Sequence, residues 1–403
     1  MRCHSSLLAI TLAVVLMTPA AFGQNAKPGA SPIDVLYIVT ANTIQTYNVD
    51  PTYGSATLYG TLSTPMSTPD YPLVVPGAND HFIYVLCTST AYWVRGVRIF
   101  VYGTDSNGVP QDPPVQTLDF PNGLGTFMID PAGTLAYAVE TVKNFSQQSE
   151  FGISAFAINP DTGVLTQFSN FSATSYPPTS GLCNPFNPFA DPGYGLVGFN
   201  SSGTQLIDSW YCDGHGDSAD YNYTRTLNQQ TGALGPDVLT VSGGSSEDEF
   251  TSVAFTPVSI LAFSNYGYSD SPNELDVYWP NSTLDFSCTY TMLDACSYSG
   301  GVGADRTGNF LFFYTYTGAI EITRLDMTNK TIEPVGIPLS GGIEAFSLDD
   351  LLIYGSGTYS WNGQLVMPVY VFDPATGLVT DNDQTIPLLG QYPYPNVVPA
   401  LWQ

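Results

Sequence analysis

The stretch Phe127–Val139 reads FMIDPAGTLAYAV. Two apolar runs flank a turn built from Asp130, Pro131 and Gly133, the composition of a tight β-hairpin. The same form recurs as LVVPGANDHFIYVL from Leu73, VGFNSSGTQLID from Val197 and VAFTPVSILAFS from Val253. It returns as VGADRTGNFLFF from Val302 and FSLDDLLIYG from Phe346. A second form alternates with it: an alternating strand, a polar turn often reading Pro-x-Thr-Gly, and another strand. It appears as TYNVDPTYGSATLYG from Thr46, IFVYGTDSNGVP from Ile99, FAINPDTGVLTQF from Phe156 and TLNQQTGALGPDVL from Thr226. VYWPNSTLDF from Val277, TRLDMTNKTIEPV from Thr323 and VYVFDPATGLV from Val369 complete the series.

One hairpin of each kind makes a four-stranded unit with strands A to D. The B strands are expected near Val35, Phe82, Leu135, Gln205, Ile260, Phe310 and Leu351. Their mean spacing of about 53 residues is near that of propeller blades, and a β-sandwich would not repeat one such unit. The first unit starts directly at strand B, with DVLYIVT from Asp34, and the chain finishes on NVVPALW from Asn396, an A strand without followers. The C-terminal strand is therefore expected to complete the first unit and remove an open edge. The reading is an all-β, seven-bladed β-propeller of four-stranded antiparallel blades over residues 33–403, preceded by a linker at 24–32.

Residues 1–23 read as a secretory signal. Arg2 supplies the positive start, Leu7 to Met17 an apolar run, and Ala21-Phe22-Gly23 a small-residue cleavage site. The run is too short to span a bilayer comfortably. Cleavage leaves about 380 residues, ample for a large core, in a secreted or periplasmic protein. Only 11% of residues are charged, yet 35 acidic against nine basic side chains give a net charge of −26. Such a surface repels nucleic acid and anionic lipid, which excludes both as partners. The expected partner is a small molecule, a glycan or a protein, met by a monomer. After Cys3 leaves with the signal, five cysteines remain; Cys183–Cys212 and Cys288–Cys296 are the sequence-local disulfide pairs. Cys87 lies in an apolar strand as a buried thiol.

The turns Asn159–Leu165 and Asp373–Leu378, with Ile129-Asp130-Pro131-Ala132-Gly133, resemble those of the lactonase-type seven-bladed propellers, the 6-phosphogluconolactonase-like group. The resemblance spans essentially the whole mature chain and rests on hairpin motifs. It implies a site at one mouth of the central channel, where basic and acidic side chains hold and open a lactone. This chain keeps His81 and His215, with Arg95, Arg98, Arg225, Arg306 and Arg324, and no motif carries a catalytic residue across.

In such a fold the D-to-A links converge on the channel mouth. They hold Asp70, Tyr71, Asn122, Asn187, Glu249, Tyr298, Glu344, Tyr394 and Asn396, with Arg306 as the candidate electrophilic partner for a lactone. Tyrosine faces can stack on sugars and carboxylates can accept hydroxyl hydrogen bonds. Asp213, Asp217 and Asp220, in a loop with Gly214, His215 and Gly216, form a candidate Ca²⁺ site, as does the run Ser245–Glu249. No other cofactor is expected. Six N-x-S/T sequons, at Asn144, Asn170, Asn200, Asn222, Asn281 and Asn329, fall largely at predicted turns. The chain therefore reads as an exported binding or interaction module without catalysis. A lactonase-like hydrolase is the alternative, and a carbohydrate-binding or carbohydrate-active protein the second alternative.

Overall fold

The computed structural model describes residues 33–39, 43–63, 73–76, 81–89, 96–120, 124–141, 151–168, 173–175, 191–200, 202–214, 217–243, 249–256, 259–266, 273–278, 284–290, 299–305, 307–315, 319–335, 339–340, 343–347, 351–355, 358–359, 364–388 and 396–402. Among them the regular elements are β-strands, and no helix is long and apolar enough to cross a membrane.

The described strands form seven antiparallel sheets of four or five strands, most of them meanders in chain order. The B strands lie at Ile33–Val39, Phe82–Ser89, Leu135–Thr141, Gln205–Gly214, Ile260–Tyr266, Phe310–Thr315 and Leu352–Gly355. Each begins within two residues of its expected position. The strand Asn396–Trp402 pairs with Ile33–Val39, from Ile33 opposite Trp402 to Val39 opposite Asn396. The first and last described strands thus share the first sheet. The third and sixth sheets each gain a short extra strand, Ala173–Ser175 and Leu339–Ser340. The seventh gains Thr358–Tyr359.

The turn chemistry explains why the two hairpin forms recur. In the A–B turns one side chain caps the hairpin from the same place. Asp130 Oδ1 accepts from the backbone N–H of Thr134 (2.8 Å) and Leu135 (2.7 Å). Asn200 Oδ1 accepts from Thr204 (2.8 Å) and Gln205 (3.0 Å). Asp305 Oδ1 accepts from Phe310 N–H at 2.8 Å, and Ser347 Oγ from Leu352 N–H at 2.9 Å. In the C–D turns an Asp or Asn opens the turn and bonds the N–H groups two and three residues on, as in Asx-turns. Asp50, Asn159, Asn228 and Asp326 do so at 2.8–3.1 Å.

Burial pushes the Asp130 carboxyl above its ordinary range, against the hydrogen bonds from Leu135 and Thr134 that pull it down. Between the ordinary and the raised value the folded chain therefore binds more protons than the unfolded one. This contribution to stability is full below the ordinary Asp value and is lost as pH rises through the raised one. Asp130→Asn copies the Asn200 cap without the charge. It should leave stability at neutral pH unchanged or raised by up to about 1 kcal/mol. It should also flatten the slope of stability as pH rises above the ordinary Asp range, read by urea unfolding at a series of pH values.

Apolar clusters join each sheet to the next. Val35 and Tyr37 of the first sheet meet Ile83 and Tyr102 of the second. Tyr84 and Val101 of the second meet Phe127 and Phe156 of the third. Tyr137 and Ile153 of the third meet Leu206 and Trp210 of the fourth. Ile207 meets Ile260 of the fifth sheet, and Leu261 and Leu275 meet Leu311 and Phe313 of the sixth. Phe310 and Phe312 meet Phe372 of the seventh, and Tyr354 and Met367 of the seventh meet Leu36 and Tyr47 of the first. The core is a series of seams, one between each pair of neighbouring sheets.

Tyrosine hydroxyls add a bond across some of these seams. Tyr37, Tyr84 and Tyr137 hydroxyls donate to the carbonyls of Gly108 (2.6 Å), Gly163 (2.9 Å) and Gly232 (2.9 Å) in the next sheet's C–D turn. Burial pushes the Tyr84 and Tyr137 hydroxyls up, so they stay protonated as donors.

Candidate functional site

The inner strands decide where a ligand could sit. They are Asn396–Trp402, Leu73–Pro76, Leu124–Ile129, Asp191–Phe199, Glu249–Phe255, Ser299–Ala304 and Ile343–Phe346. Asn396–Trp402 touches both Ile343–Phe346 and Leu73–Pro76, and Asp191–Phe199 touches Leu124–Ile129 and Glu249–Phe255. Strands A to D of each sheet pair antiparallel in that order, so the start of strand A, the end of B and the start of C lie at one end, and both tight turns lie at the other. The starts of A are the residues that follow the D-to-A links.

The candidate residues distribute over this frame as follows. Glu249 opens its strand opposite Tyr266, one rung beyond the link that was expected to hold it. Glu344 lies within Ile343–Phe346, at the register shift between Ile343 and Ala345. Asn396 stands opposite Val39. Glu249 and Asn396 extend the ladders of their sheets, whereas Glu344 is the unpaired residue of a bulge. Asp70, Tyr71, Asn122, Asn187, Tyr298, Arg306 and Tyr394 lie outside the described residues, as does the run Ser245–Asp248.

The segment with Asp213, Asp217 and Asp220 is not the open loop expected from its glycines. Its strands run on to Gly214 and restart at Asp217, with Gly214 opposite Asp217 and Asp213 opposite Ser218. A ladder satisfies the backbone groups that a loop would leave to water. The register also sets Asp191 opposite Asp213, and Asp220 opposite Tyr211. His215 lies outside the described residues. Cys212 stands opposite Ala219 and Cys288 opposite Leu275, while their expected partners Cys183 and Cys296 lie outside the described residues. Cys87 stands opposite Arg98.

The titratable cluster that the described side chains do assemble lies elsewhere, in the seam between the third and fourth sheets. Arg225 is 4% exposed and Asp208 fully buried. The Arg225 guanidinium donates from Nε to both Asp208 oxygens at 3.1 Å and from Nη2 to Asp208 Oδ2 at 3.0 Å. Its Nη1 bonds Asp237 Oδ1. Burial pushes the Asp237 carboxyl up, with Arg225 pulling against it. This geometry commits the guanidinium fork to two carboxylates, which makes Arg225 a strut of the seam and not a base for a ligand. Its signal in the sequence is a charge on an inward position of each alternating strand, at Asp208 in QLIDSW and Arg225 in YNYTRTL.

Two sequons fall where a glycan could not be accommodated. Asn222 is 3% exposed within the strand Asp217–Thr226. Asn200 has both side-chain atoms engaged in the A–B turn cap. Asn329 is exposed in a C–D turn, as expected.

Solved structures place this architecture. A protein from Lactobacillus plantarum superposes with a TM-score of 0.60 at 13% identity, over 92% of this chain and all of that one. The periplasmic gluconolactonase PpgL of Pseudomonas aeruginosa superposes with a TM-score of 0.59 at 15% identity, over 93% of this chain and 99% of that one. No family model matches the chain, and no curated protein does. The likeness at these identities is one of fold alone, that of a β-propeller.

Proposed function

We propose that the chain is an exported seven-bladed propeller, closed by its C-terminal strand, that binds a small polyhydroxylated molecule where the inner strands begin. The closure is supported by the pairing of Asn396–Trp402 with Ile33–Val39 and by the cluster that packs the seventh sheet on the first. Export is supported by the signal-like residues 1–23 and by the likeness to a periplasmic protein. The observation that carries the binding reading is topological: Glu249 and Glu344 sit on different inner strands, near the same end of their sheets. The links that carry Asp70, Tyr71, Asn122, Tyr298 and Tyr394 lead into that end. Carboxylates with tyrosines suit the hydroxyls and ring faces of a sugar. The Asp213, Asp217 and Asp220 carboxylates at the same end of the fourth sheet would add a Ca²⁺ site.

Glu249→Gln and Glu344→Gln, at polar strand ends, should leave stability within about 0.5 kcal/mol of wild type. Each should weaken binding of the best ligand in a panel of sugars, sugar acids and their lactones, read by calorimetry. A panel without any saturating ligand would remove the proposal.

A second reading, hydrolysis of a lactone at the same end, is favoured by the fold likeness to the gluconolactonase. It requires an electrophilic partner, and Arg306 is the candidate. Lactone turnover that disappears in Arg306→Met would establish it over the binding reading.

A further inference from the structure

The tyrosine bonds between sheets are unevenly distributed around the chain. Two residues after the carbonyl that closes each A–B turn stand Tyr137, Ile207, Leu261, Phe312 and Tyr354 in the third to seventh sheets. Tyr37 and Tyr84 make the corresponding bonds from the first two. A hydroxyl is thus present at this place in sheets seven, one, two and three, and chemically missing in sheets four, five and six. The receiving turns divide less sharply, since Gly377 of the seventh sheet, across from Phe312, keeps a left-handed φ of +79°. Gly108, Gly163 and Gly232 accept with φ of +79°, +67° and +68°. The sixth sheet, which faces Leu261, has Lys330 at that turn position with φ +58°.

From this we infer that the propeller is built in two parts of unequal stiffness. Sheets one to four are clamped into one body, and the seams from the fourth sheet to the seventh open first. Each clamp is a buried hydrogen bond to a carbonyl that has lost water, so its removal leaves a desolvated acceptor behind. The seams of the second part lack a buried tyrosine clamp and rest on packing such as Ile207 on Ile260 and Phe310 on Phe372, with exposed bonds from Lys330 to Asp285 and from Arg324 to the Thr376 carbonyl. The first of them separates the sheet that carries Asp213 and Asp217 from the sheet that begins at Glu249. Opening there changes the spacing of acidic strand ends at the proposed binding end.

Hydrogen exchange of the full-length chain, read by mass spectrometry on peptides, tests this. The B strands Ile33–Val39, Phe82–Ser89 and Leu135–Thr141 should exchange more slowly than Ile260–Tyr266 and Phe310–Thr315. Tyr84→Phe should speed exchange in Phe82–Ser89 by about fivefold, the value of one such bond. Phe312→Tyr, aimed at the Gly377 turn of the next sheet, should slow exchange in Phe310–Thr315 and keeps the test open if Tyr84→Phe does not fold. Equal protection of the two sets, or faster exchange in the first, would overturn the inference. So would a Phe312→Tyr chain that exchanges like wild type.

Discussion

Asp208→Ala should lower the unfolding free energy by about 3–5 kcal/mol, the range for breaking a buried ion pair from one side. The loss comes from what remains. Arg225 stays 4% exposed, and its Nε and Nη2 lose the carboxylate that accepts three hydrogen bonds. Asp237 still faces Nη1 but cannot reach round the fork. Replacing both partners by apolar residues, as in Asp208→Leu with Arg225→Met, removes the stranded charge and should recover most of the loss. Urea unfolding of the two chains would separate these outcomes. Equal destabilisation of single and double variants would mean that the pair contributes shape and not charge compensation.

Gly377→Ala should cost about 2–5 kcal/mol, summing a left-handed backbone penalty with overpacking. Gly377 has φ +79° in the C–D turn of the seventh sheet. A Cβ there would overlap Phe310 Cε1 and lie 2.6 Å from its Cδ1. Phe310 cannot swing aside: it stands edge-on to Phe372 at 5.6 Å, under the Arg324 guanidinium at 5.4 Å. Lys330 supplies the internal control. It holds φ +58° in the sixth sheet's turn with a full side chain, whose Nζ reaches Asp285 Oδ1 at 2.8 Å. The backbone penalty alone is therefore tolerated. Lys330→Gly should change stability by less than about 1 kcal/mol, because relief of the backbone and loss of an exposed ion pair offset. A Gly377→Ala chain as stable as wild type would show that the sixth and seventh sheets are not packed turn against ring.

The scaffold was readable because its hairpins are written in short-range chemistry. Asp130 with Gly133, and Asn159 with Gly163, sit at spacings that only a capped turn uses, and strand alternation fills the rest. The start of each B strand followed from those spacings to within two residues. The pairing of Asn396–Trp402 with Ile33–Val39 followed from a missing A strand. What could not be read depends on contacts far apart in sequence. Glycines around His215 read as a loop, yet the ladder runs on to Gly214 and Asp217, because pairing across the sheet outweighs local turn preference. Arg225 read as one basic residue among few until its register position beside Asp208 fixed it in a seam. Asn222 read as a surface sequon, and only the choice of inward face buries it. The candidate ring is legible in part: Glu249 and Asn396 take ladder positions near the expected end and Glu344 a bulge there, while Asp70, Tyr71, Asn122, Tyr298, Arg306 and Tyr394 lie outside the described residues.

The most direct test of the proposed function is a calorimetric titration of the purified protein with glucono-1,5-lactone and with gluconate, beside the Glu249→Gln, Glu344→Gln double variant. Saturable binding to wild type, weakened at least about tenfold in the double variant, is the predicted result, as expected for losing hydrogen bonds to charged groups. Binding that is unchanged in the double variant, or no saturable heat with either compound, would contradict a polyhydroxyl site at the inner-strand end.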